Sequence, residues 1–296
     1  MGLHSSVKIR KKFKDSEMIK RKQYPKVSVI IPAYNRCQML KQAVDSVLSQ
    51  DFTDFELIVS DDGSADNTQE MLRSYGNRII VIRQENKGVS AARNRGIVSA
   101  SGDLIAFLDS DDLWLPKKLS EQIEFFNANP DALICQTEEI WIRNGVRVNP
   151  KKKHRKLSGM IFEASLLLCL VSPSAVMMRS SLFDEVGLFD ETLPACEDYD
   201  LWLRIGCRYP IFLIDIPLIV KRGGHADQLS GEPGLDKFRI QSLKKILDSG
   251  MLSTEQWTAA VKVLKEKCAV YSGGCLKRGR EDEALYYKRL AESFGK

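Results

Sequence analysis

From Val27 onward, short apolar runs alternate with amphipathic stretches. VSVII (residues 27–31), ELIVS (56–60) and RIIVI (78–82) are rich in β-branched residues and too short for helices, so each predicts a buried strand. Between the first two, Leu40, Ala43, Val44, Val47 and Leu48 recur at helical spacing and predict an amphipathic helix over 39–50. A second helix is expected over 66–75 with Asp66 as its N-cap, and a third over 88–100. A fourth strand over 103–108 follows. This βαβαβαβ rhythm predicts an α/β fold, a mostly parallel sheet with helices on both faces.

The pattern then loosens. A helix is expected over 116–129 with Pro116 in its first turn, and a long strand over 132–143. KKKHRK (151–156) reads as a solvated loop. A helix over 160–170, a strand over 175–178, a helix over 199–208 and a strand pair around 211–222 complete the α/β part. From Leu235 only helical patterning remains, with a break expected at Gly273 and Gly274, and the last stretch resembles half of a tetratricopeptide-like helix pair. The expected organisation is an arm over 1–25, an α/β unit over 26–232 and a helical C-terminal appendage over 233–296.

Charge sharpens the first boundary. The first 26 residues hold nine Lys or Arg against Asp15 and Glu17, a net of +7 that leaves −2 for the rest of a chain whose formal total is +5. Such an arm is either a solvated tail or a peripheral contact with anionic lipid headgroups. The slightly acidic remainder, without an aromatic and basic module, argues against nucleic acid as a partner. The apolar runs at 165–171 and 211–220 are too short or too interrupted to span a bilayer, and no signal peptide is expected behind the basic opening. Seven cysteines, an odd number with no CxxC pair, suit a reduced, cytoplasmic setting.

The chemistry concentrates at strand ends. FLDSDD puts Asp109, Asp111 and Asp112 at the close of the fourth strand, where clustered carboxylates repel one another unless a cation, a cap or water offsets them. PAYNR (32–36) follows the first strand and DDGS (61–64) the second, so all three motifs fall on the sheet edge where open α/β folds bind ligands. Each alone could be a turn. Hard oxygen donors favour Mg²⁺ or Mn²⁺ bridged to a phosphorylated ligand. A calcium EF-hand from Asp109 fails at Trp114 and Ser120, and neither a P-loop nor a GxGxxG fingerprint is present. Glu197 and Asp198 open the helix of CEDYDLWLR, where acids also suit the helix dipole. His225, within GGHADQLS, is one of three histidines and by itself reads as a structural or surface residue.

VSVIIPAYNR, ELIVSDDGSADNT, GVSAARNRGI, FLDSDD and CEDYDLWLR, in this order over about residues 27–230, resemble the family 2 glycosyltransferases of the GT-A fold. The resemblance implies a Rossmann-like nucleotide-binding sheet and inverting sugar transfer from a nucleoside diphosphate, UDP above all, to a hydroxyl of a glycan or lipid-linked acceptor. On matching positions, Pro32, Tyr34 and Asn35 would line the nucleobase pocket, with Tyr34 stacking on the base. Asp61 and Asp62 would contact base and ribose, and Arg93 the nucleotide. Asp109 and Asp111 match the ends of the family's DxD element, the first holding ribose and the second the metal. Asp112 would stand behind them or face the sugar. Asp198 matches the catalytic base and Glu197 a residue shaping the acceptor pocket, while His225 is a further metal candidate. The implied cofactor is Mn²⁺ or Mg²⁺, and the implied setting is cytoplasmic, at the inner face of a membrane if the arm binds lipid. Two rivals remain at this stage. A sugar-phosphate nucleotidyltransferase would want a Gly-rich loop where PAYNRCQ has no glycine, and a non-catalytic nucleotide-sugar binder would not need Asp198.

Overall fold

A computed structural model of the chain describes residues 25–224 and 234–294. Every residue of β1 (Val27–Ala33) is buried, as a strand covered on both faces requires. It pairs in parallel with β2 (Phe55–Asp61) on one side and β4 (Leu104–Phe107) on the other, and β3 (Ile80–Arg83) adds a parallel, largely exposed edge beyond β2.

Period-two alternation divides the side chains between two cores. Val29, Ile31, Leu57 and Val59 face α1 (Cys37–Leu48) and α4 (Lys118–Ala128) through Leu40, Val44, Leu119 and Phe126. Ile30, Ile58, Ile105 and Phe107 face α3 (Val89–Ser99) and α7 (Glu197–Gly206) through Ile97, Leu201, Trp202 and Ile205. Helix α3 comes close to β1 at Gly96, where an added Cβ would stand 2.4 Å from Ile30 Cγ2. Only glycine permits that approach.

The sheet continues with a change of direction. β8 (Val176–Arg179) runs antiparallel to β4, β6 (Ile134–Arg143) antiparallel to β8, and β9 (Phe212–Gly223) parallel to β6. β5 (Leu113–Trp114) closes the order 3-2-1-4-8-6-9-5, with β7 (Val146–Val148) paired only to β6. Shorter helices α2 (Thr68–Arg73), α5 (Phe162–Leu167) and α6 (Leu182–Val186) fill the connections. Beyond them α8 (Leu235–Asp248), α9 (Thr254–Leu276) and α10 (Glu281–Ser293) build a third core. That core includes Phe162, Tyr199 and Leu203, so the C-terminal helices pack on α5 and on the outer face of α7. No helix among the described residues is long and apolar enough to cross a membrane.

Several expectations are corrected. The strand pair around 211–222 is one strand, β9, which passes Pro217 through register shifts opposite Thr137, Glu138 and Glu139. Bulges of this kind accommodate proline inside a ladder. Gly273 and Gly274 do not break a helix but lie within α9, whose buried face is held by its neighbours. Helix α2 starts at Thr68 rather than 66, although Asp66 Oδ1 still accepts the Thr68 N–H at 3.1 Å. KKKHRK is not wholly solvated: Lys156 is buried, 3.7 Å from Glu139 and bonded to Gln136 Oε1 at 3.0 Å. The arm over 1–24, which carries the lipid-contact expectation, lies outside the described residues, as does His225.

Candidate active site

Because β1, β2 and β4 are parallel, with Ala33 opposite Asp61 and Ile30 opposite Phe107, the loops leaving their carboxyl ends share one edge. Pro32 is buried within β1 opposite Ser60, and Tyr34 just beyond the strand is 47 % exposed. Asn35 takes a left-handed backbone, φ 51°. Its N–H donates to Ser64 Oγ at 2.9 Å and its Oδ1 accepts from the Ala65 N–H at 2.8 Å, so Asn35 fastens the first loop to the second.

The two aspartates after β2 have different tasks. Asp61 Oδ1 accepts the Ser64 N–H at 3.0 Å, while its buried Oδ2 has no hydrogen-bond partner among the described residues and lies 3.6 Å from Arg83 Nε. A cleft of about 490 Å³ opens beside this pair, lined also by Gln69, Leu72, Arg73 and Val81. A buried acceptor without a donor, facing a cleft, suits a ligand that brings the donor. Asp62 accepts from Gln84 Nε2 at 2.7 Å and from the N–H groups of Lys87 and Gly88 at 2.9 and 2.8 Å, so it holds the loop that leads into α3.

Arg93, buried on α3, joins the third strand end to α7: Nη2 lies 2.7 Å from Asp109 Oδ1 and Nη1 2.5 Å from Glu197 Oε1. Its guanidinium also sits over the Phe189 ring at 5.2 Å. Burial raises the Glu197 carboxyl above its ordinary range, with Arg93 holding it back. Asp111 pairs with Arg36 at 2.6 Å. Asp112 is buried; its Oδ2 accepts from Ser174 Oγ at 2.7 Å and its Oδ1 from the Arg222 N–H at 2.9 Å. Burial, reinforced by Asp111 and Asp109 and opposed by Lys221, pushes it up to about 8. Asp112 thus binds β9 to the acidic loop rather than facing outward.

Helix α7 begins after Cys196, whose left-handed backbone (φ 62°) turns the chain into it. Asp198 is half-buried, with Oδ1 accepting the Tyr199 N–H at 2.7 Å and Cys169 Sγ donating toward Oδ2 at 3.6 Å. Lys221 of β9 donates to Ser172 Oγ at 3.1 Å. Burial works to lower its affinity for a proton, but Glu139, Asp112, Asp109 and Asp198 outweigh burial and raise it. This cation therefore lies in the field of both the acidic loop and α7.

Arg83, Ser174 and Arg36 were not singled out from the sequence. Arg36 ended a quoted motif and Arg83 followed a strand, which was signal enough, whereas Ser174 sits in VSPSAV with nothing to mark it.

The profile of glycosyl transferase family 2 matches residues 28–187. An uncharacterized glycosyltransferase of Rickettsia typhi is 30 % identical over 270 residues, covering 90 % of this chain and 80 % of that protein. The Escherichia coli UDP-Glc:alpha-D-GlcNAc-diphosphoundecaprenol beta-1,3-glucosyltransferase WfgD is 35 % identical over 184 residues, covering 60 % of this chain and 69 % of that protein. Among solved structures, S. aureus TarS 1-349 in complex with UDP-GlcNAc superposes with a TM-score of 0.67 at 21 % identity, covering 82 % of this chain and 72 % of that one. The mannosyltransferase PcManGT from Pyrobaculum calidifontis, in complex with GDP-Man and Mn²⁺, gives 0.58 at 17 % identity, covering 93 % and 85 %. The chain spans 42 % of the longer TarS chain. At these identities the structures share the fold.

Proposed function

The chain belongs to glycosyl transferase family 2, a glycosyltransferase of GT-A fold, and from that premise we propose that it moves one sugar, with inversion, from a UDP-sugar to a hydroxyl of a lipid-linked or glycan acceptor. The observation that carries this reading is the Arg93 bridge, which ties the acidic loop of β4 to the helix that begins with Glu197 and Asp198. UDP as the nucleotide is supported by the names of WfgD and of the TarS complex, and a lipid-linked acceptor by the name of WfgD. Residues 26–232 would form the transferase unit, with the helices from 233 onward bracing α7 from outside.

In this reading Tyr34 stacks on the base, with Pro32 behind it and Asn35 holding the loop. Asp61 and Arg83 meet polar groups of the base or ribose at the cleft. Arg222 and Lys221 face the diphosphate. Among the described residues no group of three or more His, Cys, Asp or Glu gathers to hold a metal ion alone. Asp109 and Asp111, two hard carboxylates in one loop, nevertheless fit Mn²⁺ or Mg²⁺, which bind through one or two carboxylates with substrate phosphates and water completing the shell. Asp111 would be the chief ligand, with His225 a second. Such a cation would supply positive charge to offset the negative charge of a departing diphosphate.

Asp198 takes the proton from the acceptor hydroxyl as that oxygen attacks the anomeric carbon opposite the leaving group. Glu197, held by Arg93, shapes the adjoining pocket. The test is a donor screen with UDP-, GDP- and dTDP-sugars in Mn²⁺ or Mg²⁺. Hydrolysis or transfer confined to UDP-sugars is expected, and binding of no nucleotide sugar at all would overturn the reading.

A further inference from the structure

Away from the nucleotide edge, residues 140–162 contain seven Lys or Arg and no acidic residue. Lys156 turns inward to Glu139, but Arg143, Arg147, Lys151 to Lys153 and Arg155 are exposed, and none forms an ion pair among the described residues. Arg143 and the turn at 152–154 lie on one side of the β6–β7 hairpin, and Arg147, one position from Val146 and Val148, on the other. In the β6–β7 hairpin Trp141 stands opposite Val148 and Arg143 opposite Val146, so these four share a face. The His154 ring lies 5.2 Å from the Trp141 ring and clamps the turn Lys152–His154 onto that face. Burial and the neighbouring Lys153 and Lys151 lower the affinity of His154 for a proton, as expected inside a positive field.

An apolar side chain is set among these charges: Val146 at the hairpin tip is 65 % exposed. The surface is continuous with the site, since Trp141 pairs with Lys221 and Ile142 with Arg222. We propose that this face, residues 143–155, docks on the surface of an anionic lipid bilayer. Exposed cations meet the headgroup charge, while Val146 enters the interfacial layer. A single-stranded nucleic acid fits less well, because it would need aromatic platforms, and the ring of Trp141 is already covered by His154. The face lies wholly within the described residues.

The test uses the full chain, so that the arm is common to every form. Partition onto phosphatidylcholine vesicles with roughly one phosphatidylglycerol in three is compared for the parent, for Lys151→Gln/Lys152→Gln/Lys153→Gln and for Val146→Ser. At low salt the triple variant should bind about a hundredfold less, and the Val146 variant should lose part of the binding that survives high salt. UDP-sugar hydrolysis should match the parent in both. Partition of the triple variant equal to the parent's, or tighter binding of the parent to single-stranded RNA than to these vesicles, would overturn the proposal. A parent that binds the vesicles but no nucleotide sugar would defeat the donor reading and leave the docking face standing.

Discussion

Arg93 Nη1 lies 2.5 Å from Glu197 Oε1, a buried ion pair between residues 104 positions apart. Through it the helix after β3 holds the helix that carries Asp198. Replacing Arg93 with Met leaves two carboxylates without their cation, one of them buried, and should cost about 3–5 kcal/mol of stability. The double variant Arg93→Met/Glu197→Gln should lose less than the sum of the single losses by at least about 1 kcal/mol, measured by denaturant unfolding. Additive losses would mean the pair is not coupled.

Asp198→Asn should leave UDP-sugar affinity within about threefold while lowering the transfer rate by about 10²–10⁴, the range for loss of a general base. Calorimetric binding and single-turnover rates separate the two effects. A rate equal to the parent's would assign the proton to another group.

Chelation with EDTA should abolish transfer, and added Mn²⁺ or Mg²⁺ should restore it. Asp111→Asn should raise the metal concentration needed for half activity by at least the roughly 10-fold seen when partners one layer further from a metal are removed. Undiminished turnover in EDTA would eliminate the cation from the mechanism.

Lys118 is fully buried, stacked at 4.1 Å over the Trp114 ring and bonded to Gln122. Burial first, with Lys156 adding to it and Cys135 opposing, brings it down to about 7. Between this value and the ordinary lysine value near 10.5, the unfolded chain carries a proton that the folded chain does not. Stability should therefore rise with pH across that window, by up to about 1.4 kcal/mol per unit from this group. Lys118→Met should remove that part of the slope in urea titrations run from pH 7 to 10, and an unchanged slope would show that Lys118 is charged in the fold.

Gly96→Ala forces a methyl group against Ile30 where α3 meets β1. A cost of about 1–3 kcal/mol is expected, together with reduced activity, because α3 also carries Arg93. Ile30→Ala removes the Cγ2 that the methyl meets, so the Gly96→Ala/Ile30→Ala double variant should lose less than the sum of the single losses, as read by thermal unfolding and initial rates.

The parallel half of the sheet was legible because its strands are short β-branched runs separated by helices of clear period, and the edge where PAYNR, DDGS and DSDD meet followed from that order alone. Less visible was anything decided by distant packing. Residues 211–222 suggested a pair of strands, yet they form one, because β6 supplies a partner whose ladder shifts register at Pro217. The glycine pair in α9 suggested a break, yet α10 packing against α9 overrides local preference. A charge run misled in a similar way: Lys156 looked solvated because its partner Glu139 is seventeen positions earlier. Motif spacing locates carboxylates, as at Asp62, but does not show the later loop whose N–H groups they also hold.

The groups proposed to hold the nucleotide come mostly from residues before 113, and the acid of α7 and the cations of β9 from after 169. Links that clasp the two portions include Arg93 to Glu197, Ser174 to Asp112 and the Arg222 N–H to Asp112, beside the β4–β8 ladder and the packing of Ile30 and Phe107 on α7. The seam is therefore as much hydrophobic core as hydrogen bond, and a chimera that drew its later portion from another lineage would have to match the buried side chains of β8 and α7 as well as a glutamate and a serine.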